Sequence, residues 1–302
     1  MRPEVDRLFR YFTDGAIELR SERLVGAEIE TSFVDSKGFP ITLNTSQCVF
    51  GEMLRRHHWN ILGKKGDIIS TIVSPDGKDK ILYELGRQNI EVSTTALPAG
   101  RIIEHTQGLL ERLHKASARI GALPRYKPII KTKESLLVIP DQRDATWLTL
   151  DGRDALELLA KCSAVQFTVD VNPSEAIPLL NNLGRNIGAF LADYPQEVLW
   201  REYIHNSKAG YLPLRYGGPL FFKDLAAYCR ELAKHDVVQG SALVPHKKVE
   251  DLDIPLFLRS VWWYFRLRRY GPRLCIEVRP LARRTDAHIQ SQFDLVMDIL
   301  FH

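Results

Sequence analysis

Glu28 and Glu30 are separated by one residue in a stretch, Val25 to Val34, that reads as a β-strand, so both side chains leave the same face. Glu84 and Glu91 flank a turn containing Gly86, and they meet only if the chain folds back there. Glu277 and Arg279 share a face of a third strand, Leu274 to Pro280. Neighbouring Val, Ile, Leu and Phe place these segments in a packed sheet. A carboxylate buried in such a setting is costly unless it is paired or holds a metal. Carboxylates collected from several strands suit Mg²⁺, a hard cation that takes oxygen ligands and often binds together with phosphates. An arginine beside them suits a phosphoryl or carboxylate group. The set points to nucleotide-dependent chemistry, and no Walker, G-x-G-x-x-G or G-x-S-x-G pattern is present to suggest another kind.

Gln166, Thr168 and Asp170 lie on one face of a further strand, opposite Val165, Phe167, Val169 and Val171. That alternation alone asks only for a strand with one face turned away from the core. Taken singly, each glutamate above reads as readily as a surface acid. His57, His58 and His205 have no H-E-x-x-H or Cys partner and read as ordinary surface or helix residues. Trp262 and Trp263 read as core or as a pocket wall.

The same segments carry a family resemblance. Val25-Gly26-Ala27-Glu28-Ile29-Glu30 with Phe33-Val34-Asp35 resembles the opening strand of the glutamate–cysteine ligase superfamily, carboxylate–amine ligases of glutamine-synthetase-like fold. Glu84, Gly86, Gln88, Glu91 and Ser93 resemble that family's second motif. Val165 to Asp170 resembles its middle strand. Trp262-Trp263-Tyr264-Phe265-Arg266, Tyr270-Gly271 and Ile276-Glu277-Val278-Arg279 are similar to its closing block. The matches keep their order across residues 24–282.

The resemblance implies an ATP- and Mg²⁺-dependent ligase that joins a carboxylate to an amine through an acyl phosphate, with glutamate and cysteine the best-known pair of amino-acid substrates. It implies that Glu28, Glu30, Glu84, Glu91 and Glu277 hold the metal, and that Arg279 steadies the transferring phosphoryl group with Arg266 as a second catalytic cation. It further implies that Gln166, Thr168 and Gln88 join Arg279 in binding the cofactor. The chain departs from the family pattern at Arg87, Tyr264 and Ala282, and it stops at His302, where larger relatives continue. The competing class is a divergent member that binds nucleotide or amino acid without turnover.

A chain of 302 residues can bury a large core, and no linker or repeat divides it, so a single domain over 1–302 is expected. The fold class expected is α+β, a mostly antiparallel sheet with helices packed on one face. No apolar run has membrane-spanning length, and the first ten residues do not read as a signal peptide. Four cysteines without metal or disulfide spacing suit a reduced, cytoplasmic setting. The net charge is +4, and the densest basic run, Arg266 to Arg273, abuts the Glu277 strand, where phosphate-handling also calls for cations. Nucleic acid is therefore set aside as a partner, and self-association is left open.

The apolar spacing predicts helices over 3–12, 46–57 with Ser46 as cap, 100–121, 151–161, 174–192, 222–235 and 253–264, and a last helix from Asp286. Strands are predicted over 24–34, 67–73, 80–83, 89–95, 135–139, 163–171 and 273–280, with Ser74-Pro75-Asp76-Gly77 as a hairpin turn.

Overall fold

The computed structural model describes residues 2–18, 22–138 and 142–302, with backbone alone for 142–144. In chain order it runs α1 (Pro3–Thr13), β1 (Leu24–Val34), α2 (Leu43–His57), β2 (Asn60–Lys65), β3 (Ile68–Val73), β4 (Lys80–Tyr83), β5 (Asn89–Ser93) and β6 (Leu97–Pro98). Next come α3 (Ala99–Ala118), β7 (Leu123–Arg125), α4 (Gln142–Asp151), α5 (Arg153–Leu159), β8 (Ala164–Val171), α6 (Ala176–Arg185), α7 (Ile187–Leu191) and α8 (Gln196–Asn206). The remainder is β9 (Tyr216–Gly217), α9 (Leu225–Leu232), β10 (Val237–Gln239), β11 (Ala242–Val244), α10 (Ile254–Leu258), β12 (Trp262–Trp263), β13 (Phe265–Tyr270), β14 (Arg273–Ala282) and α11 (His288–Phe301).

The main sheet has the order β13-β14-β8-β1-β5-β4-β3-β2, with β6 and β7 pairing onto the ends of β1. All its pairs are antiparallel. The fold is therefore α+β with a mostly antiparallel sheet, as the pattern of elements suggests. The period of two decides what each face carries. One face presents Val25, Ala27, Ile29, Phe33, Val165, Phe167, Val169, Ile276 and Val278, all almost fully buried. Helices α3, α6 and α11 lie against this face, and Phe167 meets Phe293 of α11 edge-on at 5.5 Å. Each of the Val, Ile and Phe side chains contributes roughly 1.5–3 kcal/mol by leaving water. The other face carries polar and charged groups and forms the floor of a cleft.

Several boundaries differ from the sequence pattern. Helix α2 starts earlier than Ser46, because Thr42 is the cap and its hydroxyl accepts from Thr45 N at 3.1 Å. Residues 174–192 split into α6 and α7 at Asn186. Residues 253–264 are not one helix: α10, capped by Asp253, ends at Leu258, and Trp262–Trp263 pairs as a parallel strand with β9. Carbonyls freed by that early end are taken by the Arg266 guanidinium, which donates to Val261 O at 2.6 Å and Leu258 O at 2.5 Å. In 135–139 the described residues form only a bridge between Leu137 and Gly86, and Ile139 lies outside the described residues. The Ser74–Gly77 turn is as expected, with Gly77 at φ +77°.

Candidate functional site

Strand register brings the acids together. Glu30 stands directly opposite Glu91 across the β1–β5 pair, and Glu28 stands opposite Ser93 on one side and Gln166 on the other. Glu84 follows β4, and its turn does fold back: Asn89 N donates to Gly86 O at 2.9 Å and Glu84 N to Asn89 O at 3.2 Å. A side chain at Gly86 would put its Cβ 2.5 Å from Ala160 O, so the close return needs glycine. As a result Glu30, Glu84 and Glu91 each offer a carboxylate oxygen within 4.8 Å of the other two. Glu30 and Glu91 are buried, and Glu28 and Glu84 are half-buried.

Such a group cannot all ionise out of water. Burial, then the charge of Glu84, pushes Glu30 up to about 8 despite hydrogen bonds from Ala164 N at 2.9 Å and from Asn89. Burial and Glu277 push Glu28 up to about 6. Burial, with Glu28 and Glu84, raises Glu91 well above the carboxylate range. Hard oxygen donors held close and out of water fit a small divalent cation, whose charge would let them ionise together.

Next to this cluster lies a cationic one. Glu277 is buried and accepts Arg266 Nε and Nη2 at 2.8 Å each, and Arg279 Nη1 at 2.5 Å. Arg268 Nε is 3.8 Å away. Burial alone would raise Glu277, but Arg266 and Arg279 outweigh it and hold the carboxyl well below its ordinary value. The two clusters are joined: Arg279 Nη1 donates to Gln166 Oε1 at 2.7 Å, and Gln166 Nε2 donates to Glu30 Oε1 at 3.2 Å. A continuous run of bonds thus links Glu30, Gln166, Arg279, Glu277 and Arg266.

Glu28, Glu30, Glu84, Glu91, Gln166, Thr168, Arg266, Glu277 and Arg279 all line one cleft of about 1340 Å³. Gln88 is not among them. It is fully buried, and its amide donates to Ala160 O at 2.8 Å behind the carboxylate turn. Glu277 lies in the cleft but is engaged by arginines rather than grouped with Glu30, Glu84 and Glu91. The three departures have structural places. Arg87 points away from the cleft and ties the turn to Ile41 O, Ser135 O and Glu134. Tyr264 meets Tyr216 edge-on at 5.3 Å. Ala282 is buried, and its carbonyl accepts from Gln292 at 2.7 Å.

Sequence reasoning offered Trp262 as core or pocket wall but missed the rest of the roof. Trp147 of α4, Leu156 and Leu159 of α5, Tyr194, and Trp200 and Tyr203 of α8 close the cleft above the start of β8, together with Trp262. Trp263, next to it, is core: it is fully buried, with its indole N–H on Leu214 O at 2.9 Å. The basic run also resolves by period. Arg266, Arg268 and Arg273 face the cleft, whereas Arg269 turns away to Gly271 O and Tyr11 O. All four cysteines are free thiols, and among the described residues no helix is long and apolar enough to cross a membrane.

No family model matches the chain, and no curated protein sequence matches it. Solved structures do. A bifunctional glutathione synthetase from Pasteurella multocida aligns over 99% of this chain at 12% identity with a TM-score of 0.52. A Plasmodium falciparum glutamine synthetase aligns over 98% at 9% identity with a TM-score of 0.42, and apo GmaS over 98% at 8% with a TM-score of 0.43. The chain spans 40%, 55% and 57% of those three proteins, respectively. The first likeness is one of fold: the α+β, mostly antiparallel architecture is shared with the glutathione synthetase.

Proposed function

We infer that this chain is an ATP- and Mg²⁺-dependent carboxylate–amine ligase acting as one catalytic unit over residues 1–302. The observation that carries the reading is the convergence of Glu30, Glu84 and Glu91 next to Arg279 in one cleft. The glutathione synthetase fold and the resemblance of the motifs support the same reaction class. In that reaction the substrate carboxylate attacks the γ-phosphorus of ATP, releasing ADP and leaving an acyl phosphate. The substrate amine then attacks the acyl carbon, phosphate departs, and the amine proton passes to a base. Mg²⁺ would neutralise the phosphate charge.

The protein's own groups divide the work. Glu30, Glu84 and Glu91, with Glu28 beside them, would hold the cation. Arg279 is steadied by Glu277 and Gln166 and aims its guanidinium at the phosphoryl group in transfer, where a preorganised donor is worth most. Arg266 is a positioning residue, since it fixes Glu277 and so Arg279. Thr168 stays with the cofactor contacts, and Gln88 moves to a supporting place under the turn. The resemblance makes glutamate and cysteine the first pair to try.

A second reading, binding without turnover, draws on the saturation of Glu277 by Arg266 and Arg279. ADP release with pools of amino acids, with and without Mg²⁺, decides between them. Metal-dependent ADP release that requires an amino acid is the expected result. Binding of ATP or an amino acid without ADP release supports the second reading, and binding of neither overturns both.

A further inference from the structure

The geometry points to an aryl-binding subsite in the roof of the cleft, where a small-molecule substrate places a flat aromatic ring against Trp147, Trp200 and Trp262. This rests on the ligase reading and deepens it, by naming what one of the two substrates carries.

Three observations support it. The first is a built aromatic wall. Trp262 has Trp147 and Trp200 ring centroids at 5.6 Å each and Tyr203 at 5.5 Å, and Trp200 stacks flat on Tyr216 at 5.1 Å and 4°. All three indoles are half-buried and line the cleft, whereas Trp263 is fully enclosed. Half-covered indoles facing an enclosed space are surface prepared for a ring, because aromatic pairs gain from stacked and edge-on contact beyond the area they bury.

The second is rigidity. Buried Asp151 accepts Tyr203 Oη at 2.7 Å and the Ser207 hydroxyl at 2.5 Å. Arg215, also buried, lies 4.6 Å over the Tyr211 ring and 5.9 Å from the Trp262 ring, and its Nε donates to Ser260 O at 2.7 Å. The wall is thus held from behind, which limits the ordering cost on binding.

The third is position. Leu156 and Leu159 precede β8, whose first residue Ala164 donates to Glu30 at 2.9 Å, and Arg279 N donates to Tyr264 O at 3.0 Å, two residues after Trp262. The wall therefore adjoins the Glu30 and Arg279 end of the cleft. Among the basic side chains that line the cleft, Arg266 and Arg279 sit with Glu277, whereas Arg268 and Arg273 lie farther along β13 and β14, where Asp170 pairs with Arg273. The remaining phosphates of ATP suit that end, the phosphoryl group in transfer falls to Arg279 beside the carboxylates, and the aromatic wall is left for the organic substrate.

Tryptophan emission with Mg²⁺ and a non-hydrolysable ATP analogue present reads binding directly, with phenylalanine, 3-phenylpropanoate and phenethylamine as probes against leucine, butyrate and butylamine. The acid and amine arms show which substrate carries the ring. At least one aryl probe should bind about tenfold or more tightly than its aliphatic counterpart and shift the emission, as expected for a stacked ring. Trp147→Leu should lose most of that preference while keeping the melting temperature, and Trp262→Phe serves should the first variant unfold. Equal affinity for aryl and aliphatic probes, no aryl binding, or an unchanged preference in folded variants overturns the subsite. ADP release is scored separately. Turnover with aliphatic amino acids alone sinks the subsite and leaves the ligase reading, whereas aryl preference without any ADP release sinks the ligase reading and leaves the subsite.

Discussion

Arg266 grips Glu277 through two parallel hydrogen bonds, Nε and Nη2 each 2.8 Å from a carboxylate oxygen, with both side chains buried. A buried pair of this kind contributes little net stability as a pair, yet removing one partner strands the other charge out of water. Glu277→Gln should therefore destabilise the fold by about 3–5 kcal/mol. Replacing both residues by methionine should recover only part of the loss, because Arg279 also loses its carboxylate partner. Denaturant unfolding of the single and double variants checks this. A single variant as stable as the wild type would show that Glu277 is not the counter-ion of Arg266.

Glu30 and Glu91 face each other with raised carboxyl groups, which carries a pH prediction for the protein without metal. Glu30 titrates at about 8 when folded, above its ordinary value, so its contribution is fully present below the ordinary carboxylate range and is lost as pH rises toward about 8. The melting temperature without metal should fall by several degrees over that window, and Mg²⁺ should flatten the fall. Mg²⁺ binding at neutral pH should release protons, visible in calorimetry as heats that depend on the buffer. Glu91→Gln should raise stability without metal by about 0.5–2 kcal/mol. The same variant should weaken Mg²⁺ binding about tenfold or more, as expected for losing a charged ligand. Metal affinity unchanged in this variant would remove Glu91 from the site.

The acid limb should have a different origin. His235 is buried beside Trp263, and burial, then Arg215 and Lys234, lower it to about 3. Its folded value lies below its ordinary one of 6.5, so the neutral ring stabilises above 6.5 and that contribution is lost as pH falls from 6.5 toward 3. Stability should therefore drop on acidification with a slope from this group of at most about 1.4 kcal/mol per pH unit. His235→Asn should flatten that slope in pH-dependent unfolding curves, and an unchanged slope would assign the acid limb to other groups.

Arg279→Lys tests the reacting phosphate. Lysine keeps the charge but loses the planar two-pronged donor set. If Arg279 meets the phosphoryl group most strongly in the transition state, kcat should fall about a hundredfold, the order seen for losing one preorganised donor. KM for ATP should change less. Steady-state kinetics that show a raised KM with normal kcat would make Arg279 a ground-state binding residue.

What could be read from the residues depended on range. The faces of β1, β5, β8 and β14 were legible because alternation is a local property, and so the acids and Arg279 could be assigned to one side of their strands before any register was known. The 253–264 helix failed because Arg266 competes for the carbonyls of Leu258 and Val261, a contact no periodicity encodes. Strand β2 was missed because it is an edge strand whose residues are mostly exposed, leaving no alternation to see. Gln88 shares a motif with Glu91 but leaves on the other side of the turn, where a carbonyl from α5 and β8's connection takes it. The tryptophan wall comes from α4, α8 and β12, and only tertiary packing brings those indoles together.

The position of β1 at the centre of the sheet has a consequence for how the chain reaches its native state. Its neighbours are β5, about sixty residues later, and β8, about one hundred and forty later, while β14 beyond β8 supplies Glu277 and Arg279. Contacts of such long sequence separation close large loops before they are rewarded, and topologies of this type fold slowly. During synthesis the first half of the chain must wait with Val25–Ile29 unpaired on one edge of its central strand, since β7 covers only Ser32–Val34 there, and Glu28 and Glu30 flank that open stretch. Their charges, a liability in the finished cleft, would repel a second nascent chain from the open edge until β8 arrives.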